Sequence, residues 1–384
     1  MAVSWALLAD TVPLYSLYAL LFGHVGLSSA AISGLFVFWS LVAVSCEIPS
    51  GALADQFSRR GALIAAGVLQ ASGYALWVSW PALPSFAAGF ALWGIAGSLV
   101  SGALEALLYD GLAEVGAQAH FGTVLGRITA AQLIAQIPAA VAASVLYSVG
   151  GFALAGWVSV GCCLTAALFA ARLPEPPRTN LLPRDGARGE SAAGYWSTVH
   201  DGMRQVGANA AVRAAVLAVA LVAGIDAIDE YFPLLVQHWG VPTGLNPIVV
   251  LAIPLAGAAG AAMGGSVSAG RSGRLAALLA VSASLLAAAG LFAHPLSVVA
   301  VAAFYALYRW VLIVIEARLQ AVIVTSARAT VTSVAAVGVE VGSLALFASW
   351  ALGGVMLVAA ELALIAAVLP RLLRRTGSSP DAVS

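Results

Sequence analysis

Three acidic residues, Asp226, Asp229 and Glu230, lie close together in a stretch of chain that is otherwise apolar. Their spacing of three and four residues places them on one face of an α-helix. Carboxyl groups so close together do not all ionise easily, so this group is suited to taking up and releasing a proton. Arg309 lies in another apolar stretch and needs a counter-charge, for which Asp226 is the best placed acid and Asp10 the second.

The composition indicates that these residues are held by helices that cross a membrane. Of the 384 residues, 61% are hydrophobic and only 9% are charged, where a soluble domain carries about a quarter. The mean hydropathy is +0.98. Backbone groups must be paired within hydrocarbon, and apolar runs of about 20 residues are long enough for helices to cross it. Twelve spans are predicted, at 3–22, 29–50, 61–80, 84–110, 124–148, 151–172, 212–236, 246–267, 275–293, 296–320, 331–352 and 354–373.

The ionisable residues within these spans are candidates for function, because a charged side chain costs about 2.5–3.5 kcal/mol at the centre of a membrane helix. Structural roles remain the alternative. Asp229 and Glu230 could reach water at the outer face, and Asp226 with Arg309 could form a purely structural pair. The other ionisable residues in the spans are Asp10, Glu47, Glu105, Glu316, Glu340 and Glu361.

The arginines predict the orientation of the chain. All 17 basic residues are arginine, and with the N-terminus inside they fall in or beside the cytoplasmic loops and tail. Only Arg309 is left over, and it falls well inside a span. This is the positive-inside pattern of a plasma-membrane protein with both termini in the cytoplasm. At 1.5 Å per residue, Asp226 lies about 20 Å into span 7 and Arg309 about 18 Å from the inner end of span 10, so their depths match.

The longest polar interruption divides the spans into two sets of six. We expect an N-terminal half at 1–172, a cytoplasmic linker at 173–210, a C-terminal half at 211–373 and a tail at 374–384. Helical spacing of apolar residues in the second part of the linker predicts an amphipathic helix on the inner membrane face, or equally one packed on the bundle. The halves repeat short sequences in equivalent spans, such as Leu104-Glu105-Ala106 and Ile315-Glu316-Ala317.

The segment Gly51-Ala52-Leu53-Ala54-Asp55-Gln56-Phe57-Ser58-Arg59-Arg60 resembles the signature loop between helices 2 and 3 of the major facilitator superfamily. It departs from that pattern at Gln56 and Ser58. The phrases Glu47-Ile48-Pro49-Ser50-Gly51, Ala106-Leu107-Leu108-Tyr109-Asp110 and Arg328-Ala329-Thr330 look like those of a bacterial drug and multidrug permease branch. The resemblance implies an all-α membrane protein with twelve transmembrane helices in two pseudo-symmetric six-helix halves.

The resemblance also implies roles for particular residues. Spans 1, 4, 7 and 10 line the central cavity in this superfamily. Substrate or proton-coupling roles therefore fall on Asp10, Asp226, Glu230, Arg309, Tyr305 and Tyr308. Charge clusters at the inner ends of the spans latch the halves together, which implies gating roles for Gly51, Leu53, Asp55, Arg59, Arg60, Glu47, Glu105, Asp110, Arg127, Glu316 and Arg328. Proton–drug antiporters carry an arginine in span 4, and this chain has none there.

We expect a secondary active transporter that works by alternating access and exports a small organic or drug-like compound in exchange for protons. The alternatives are uptake or uniport by the same fold, or a membrane sensor that does not transport. An enzyme is not expected, because the spans carry no nucleophile paired with a base and no spacing typical of a metal site. We expect a monomer in the lipid bilayer, with no cofactor and no nucleic-acid partner.

Overall fold

The computed structural model describes residues 1–56, 58–175, 207, 209–265, 272–323 and 328–376, without the side chains of 47–56, 102, 328–330 and 375–376. All regular elements in these residues are helical. The α-helices are Ala2–Asp10, Tyr18–His24, Ser29–Gln56, Arg59–Ser79, Leu83–Glu114, Phe121–Ala170, Ala210–Ala223, Phe232–His238, Asn246–Gly265, Ser272–Phe292, Ser297–Val322 and Arg328–Thr376. Short 3₁₀ helices cover Pro13–Ser16, Gln118–His120 and Gly224–Tyr231.

Two of these helices are each two membrane spans joined without a loop. Phe121–Ala170 has 50 residues, which is about 75 Å at 1.5 Å per residue and far exceeds the roughly 30 Å of a hydrocarbon core. It breaks at Gly151, where φ is 63° and ψ is −157°. Arg328–Thr376 breaks in the same way at Gly354, with φ 58° and ψ −151°. This backbone conformation is essentially restricted to glycine, so each break separates two spans.

The described residues contain nine stretches long and apolar enough to cross a membrane. Two of the nine are the broken helices, each of which holds two spans. The first span is interrupted and too short in any one piece to be counted by length. With these included, the twelve predicted spans are confirmed, and they form an all-helical membrane protein.

The prediction that span 1 is one continuous helix is wrong. The helix ends at Asp10, Val12 is extended, and Pro13 begins a 3₁₀ turn before the helix resumes at Tyr18. Proline has no backbone N–H and forces the preceding residue away from helical geometry. Ser159 of span 6 accepts a 2.8 Å hydrogen bond from the Leu14 N–H, so the break leaves this buried donor satisfied.

Span 7 is interrupted at the corresponding depth, which also contradicts the prediction of a continuous helix. Its helix ends at Ala223, a 3₁₀ segment covers Gly224–Tyr231, and a second helix starts at Phe232. Close packing accompanies this break, because a Cβ at Gly224 would lie 2.6 Å from the backbone of Gly342 in span 11. The first span of each half therefore has a non-α segment within the membrane.

The segment at 51–60 is mostly helical and is not a loop. The helix of span 2 continues to Gln56 and that of span 3 begins at Arg59. Ser58 forms the N-cap of span 3, and its hydroxyl oxygen accepts a 2.9 Å hydrogen bond from the Gly61 N–H. The side chains of 47–57 lie outside the described residues, as does most of the linker predicted at 173–210.

The chain divides into two compact units. The first contains Met1–Ser28 and Gly34–Tyr195, and the second contains Trp196–Pro242 and Val249–Ser384, with two short exchanged segments, Ser29–Ser33 and Thr243–Ile248. An aromatic core lies in the first unit around the buried side chain of Tyr18. Six rings have centroids 5.5–6.2 Å from that of Tyr18, namely Tyr15, Phe22, Phe36, Trp77, Phe90 and Trp93.

Candidate functional site

An ion pair joins the interrupted span 7 to span 10 inside the second unit. A terminal guanidinium nitrogen of Arg309 donates to the Asp226 carboxylate at 2.6 Å. The Tyr305 hydroxyl donates to the other carboxylate oxygen at 2.8 Å. The pairing of Asp226 with Arg309 that their depths predict is therefore present. The Asp226 carboxylate is therefore bound by the Arg309 guanidinium and the Tyr305 hydroxyl, whose residues lie one helical turn apart on span 10.

We call Asp226, Arg309 and Tyr305 the charge cluster, and neighbouring groups fix its geometry. The Tyr308 hydroxyl donates a 2.9 Å hydrogen bond to the carbonyl oxygen of Val222, which lies next to the end of the first helix of span 7. Gly257 of span 8 lies against the ring of Tyr305 and the stem of Arg309. The side chains of Asp226 and Arg309 are 37% and 29% exposed, so the pair is partly accessible at the surface of this unit.

The three acids of span 7 do not share one face, as an α-helix would require. The 3₁₀ segment Gly224–Tyr231 has about three residues per turn, so Asp226 and Asp229 align while Glu230 is rotated away by about a third of a turn. Accordingly, Asp229 lies within electrostatic range of Asp226, and Glu230 lies instead within range of Tyr231. Asp229 is exposed and Glu230 half-buried.

Asp10 occupies the last turn of the first helix of span 1, immediately before its break. The Gln132 side chain of span 5 is placed to hydrogen-bond its carboxyl group. Asp10 is exposed and lines a cavity within the first unit.

Two ion pairs lie at the predicted inner ends of the spans in the first unit. Arg59 forms an ion pair with Asp110 at the end of span 4. It also donates a 3.0 Å hydrogen bond to the carbonyl oxygen of Ala106. Arg60 lies 3.6 Å from the carboxylate of Glu175, which also accepts hydrogen bonds of 2.8 and 2.9 Å from the Ser58 hydroxyl.

Glu175 is not among the predicted gating residues, because it lies beyond span 6 in the predicted linker. The signal available was an acidic residue directly after Leu173-Pro174, close to the inner end of a span. Leu173 also contributes its carbonyl oxygen, 3.5 Å from a terminal nitrogen of Arg60. The chain leaving span 6 is therefore held against the start of span 3.

The remaining predicted gating residues are not gathered into one cluster by the described structure. Glu105 and Arg127 are exposed. Glu316 lies within electrostatic range of Arg309 and Asp226, closer to the charge cluster of span 10 than expected. The side chains at positions Glu47, Gly51, Leu53, Asp55 and Arg328 lie outside the described part of the chain. Within the part of the chain that the structure describes, no three His, Cys, Asp or Glu side chains could jointly hold a metal ion.

Solved structures of similar fold cover nearly the whole chain. The nucleoside transporter NupG is 12% identical, with a TM-score of 0.71 and coverage of 99% of this chain and 98% of its own. A D-xylose–proton symporter is 15% identical, with a TM-score of 0.70 and coverage of 98% of both chains. A bacterial homologue of the human lysosomal transporter Spinster is 15% identical, with a TM-score of 0.67 and coverage of 98% of this chain and 91% of its own.

These identities show the fold alone. No curated protein sequence matches the chain significantly. The family model described as Major Facilitator Superfamily matches residues 2–358. Because that match spans nearly all of the chain, including both interrupted spans and the charge cluster, this protein belongs to the major facilitator superfamily of membrane transporters.

Proposed function

We propose that this protein is a secondary active transporter that exports a small organic compound in exchange for protons by alternating access. The observation that carries the proposal is the Asp226 carboxylate, held by Arg309 and Tyr305 in the interrupted middle of span 7. Membership of a transporter superfamily supports the general class. Proton coupling and export are the specific parts of the proposal.

The charge cluster is suited to proton coupling because its two protonation states differ in what they bind. The ionised Asp226 carboxylate neutralises Arg309 and accepts from the Tyr305 hydroxyl. A protonated Asp226 no longer balances the guanidinium charge, so Arg309 must find another anion or face water. Proton binding therefore favours a different local arrangement of spans 7 and 10. Asp229 and Glu230 are further carboxyl groups on the same 3₁₀ segment.

The interrupted segments provide places where that change can be absorbed. A 3₁₀ segment within a helix has poorer hydrogen-bond geometry than an α-helix and commonly marks a hinge. Spans 1 and 7 both contain one. Asp10 lies shortly before the segment of span 1, and Asp226 lies within the segment of span 7. Binding at either acid could thus alter the angle between the two parts of its span.

The inner ion pairs are proposed to set the rate of the conformational cycle. Arg59 with Asp110 and Arg60 with Glu175 bind the start of span 3 to the ends of spans 4 and 6. These pairs are partly exposed, so each contributes modestly to stability and can exchange partners.

We further propose that the protein lies in the plasma membrane as a monomer. In this arrangement the arginine-rich loops and both termini face the cytoplasm.

Proton symport is the second candidate, because one protein of similar fold is a D-xylose–proton symporter. Symport uses the same coupling acid but moves solute and proton in the same direction. The sign of the proton flux separates the two.

The decisive experiment measures proton movement in everted membrane vesicles as a panel of amphipathic compounds is added. It compares the wild type with Asp226→Asn and, as a matched control, Glu114→Gln, which removes an exposed acid at the end of span 4. Proton release on compound addition that is lost in Asp226→Asn alone supports antiport through Asp226. Persistent release in that variant transfers the coupling role to Asp10 or Glu230. Proton movement of opposite sign indicates symport, and no movement in folded protein contradicts proton coupling.

A further inference from the structure

A cavity of about 260 Å³ lies entirely within the first unit, between spans 1, 3, 4, 5 and 6. Trp5 and Asp10 line it from span 1, and Gln70, Trp93 and Gln132 from spans 3, 4 and 5. Asp10 is exposed at this cavity while Trp5 is 4% exposed. The cavity therefore combines an accessible carboxylate with a buried aromatic wall.

The formal charge that lines the cavity is negative. Among the described residues that line it, Asp10 is the one with a formal charge, and none is arginine. This differs from the second unit, where Asp226 is neutralised by Arg309. A ligand with a positive charge would balance Asp10, whereas an anion would bring a second negative charge into the same space. The electrostatics of the cavity therefore select for cations.

Aromatic and amide groups define the rest of the ligand. Trp93 is held in place by Trp39, which stacks at 5.4 Å, and by Phe90 at 5.8 Å, so this wall is rigid. Rigid aromatic walls favour a flat apolar group in the ligand. Gln70 and Gln132 add hydrogen-bonding groups, and the latter is placed to orient the Asp10 carboxylate.

The size of the cavity sets an upper limit on the ligand. Pockets for drug-sized compounds measure about 300–1,000 Å³, and this one is 260 Å³. A compound with one ring and one ammonium group is compatible with that volume. A cation with several rings is too large to enter without rearrangement of the spans.

We propose that this cavity binds a small organic cation with a single ring, with the cationic group at Asp10 and the ring against Trp93. The assignment of this ligand class as the transported substrate rests on the proposed transport function. Binding itself does not depend on transport and is measured separately.

The test uses the purified full chain in lipid nanodiscs and isothermal titration calorimetry. Three one-ring probes differ in charge: benzyltrimethylammonium is cationic, benzyl alcohol neutral and benzenesulfonate anionic. Tetraphenylphosphonium serves as the oversized cation. We expect saturable binding of benzyltrimethylammonium and weaker binding of the other three. Asp10→Asn should weaken that binding about 10- to 100-fold, the loss of one charge-assisted contact, while Glu114→Gln should leave it unchanged.

A second variant tests the location without altering charge. Gly97 lines the cavity in span 4, and a Cβ built there meets no other atom within 4 Å. Gly97→Leu should therefore fold normally and fill the space, because leucine also favours helix over glycine. We expect it to abolish binding of benzyltrimethylammonium without lowering the melting temperature.

Several results would overturn the assignment. These are absence of saturable binding by benzyltrimethylammonium, equal affinity for the three one-ring probes, or unchanged affinity in folded Asp10→Asn or Gly97→Leu protein. The outcome is separable from that of the proposed function. Proton flux driven by neutral or anionic compounds without cation binding refutes this inference alone. Cation binding without proton flux in vesicles refutes proton-coupled transport alone.

Discussion

Gly257 of span 8 lies directly against Tyr305 of span 10, and a Cβ at position 257 would come within 2.5 Å of the tyrosine ring. The absence of a side chain at this position is what allows the ring to lie where its hydroxyl reaches Asp226. A small residue on one span therefore determines whether a hydrogen bond forms between two others.

Gly257→Ala should displace the Tyr305 ring and break its hydrogen bond to Asp226. Overpacking of this kind costs about 1–3 kcal/mol of folding stability, so we expect a lower melting temperature and reduced compound-dependent proton flux. Gly161→Ala is the matched control, because a Cβ at Gly161 meets no other atom within 4 Å. Equal behaviour of the two variants would contradict this account of Gly257.

Removing either charge of the Asp226–Arg309 pair should destabilise the protein more than removing both. A single unpaired charge within the protein costs about 3–5 kcal/mol when fully buried. Since both side chains are about a third exposed, we expect ~1–3 kcal/mol for Asp226→Asn or Arg309→Gln. Thermal unfolding of the double variant should show partial recovery, and additive losses would mean that the pair has no energetic coupling.

Ser159→Ala should destabilise the break in span 1. The serine hydroxyl accepts from the Leu14 N–H at a fully buried position, and an unsatisfied buried donor costs about 1–3 kcal/mol. Ser148→Ala is a suitable comparison, because Ser148 is exposed and donates only to Val145 within its own helix. The melting temperature should fall for the first variant and stay near the wild-type value for the second.

Glu175→Gln should alter transport more than stability. The substitution removes the anionic partner of Arg60, whose side chain is 41% exposed, and exposed pairs contribute about 0–1 kcal/mol. We expect a nearly unchanged melting temperature but a changed rate of compound-dependent proton flux. Glu114→Gln provides the control for loss of one acid. An unchanged flux in Glu175→Gln would remove this pair from the proposed conformational cycle.

The number and approximate positions of the spans followed from the sequence because hydrocarbon thickness sets the length of a helix that crosses it. The pairing of Asp226 with Arg309 was also predictable, since a cation at that depth needs an anion at the same depth. The interruptions of spans 1 and 7 were not foreseen, although Pro13 and Pro233 were visible signals within the apolar runs. Hydropathy does not distinguish an α-helix from a 3₁₀ segment of the same composition, and Glu230 was therefore placed on the wrong face.

The partner of Arg60 and the cavity at Asp10 could not be obtained from spacing. Both depend on which helices pack together, and nothing in the local sequence of span 3 indicates that its start meets Glu175 beyond span 6. The same holds for Gln132, which reaches Asp10 from a distant span.

The glycine breaks at Gly151 and Gly354 have nearly identical dihedral angles, and each follows a glycine whose Cβ would collide with a leucine four residues ahead, Leu154 or Leu357. The two sites occupy the same position in their halves, between the fifth and sixth spans. This agreement in backbone conformation matches the internal repeat of six-helix halves that the sequence predicts. The two Gly-Gly-x-x-Leu segments therefore provide a fixed reference point for aligning the halves of this chain with each other.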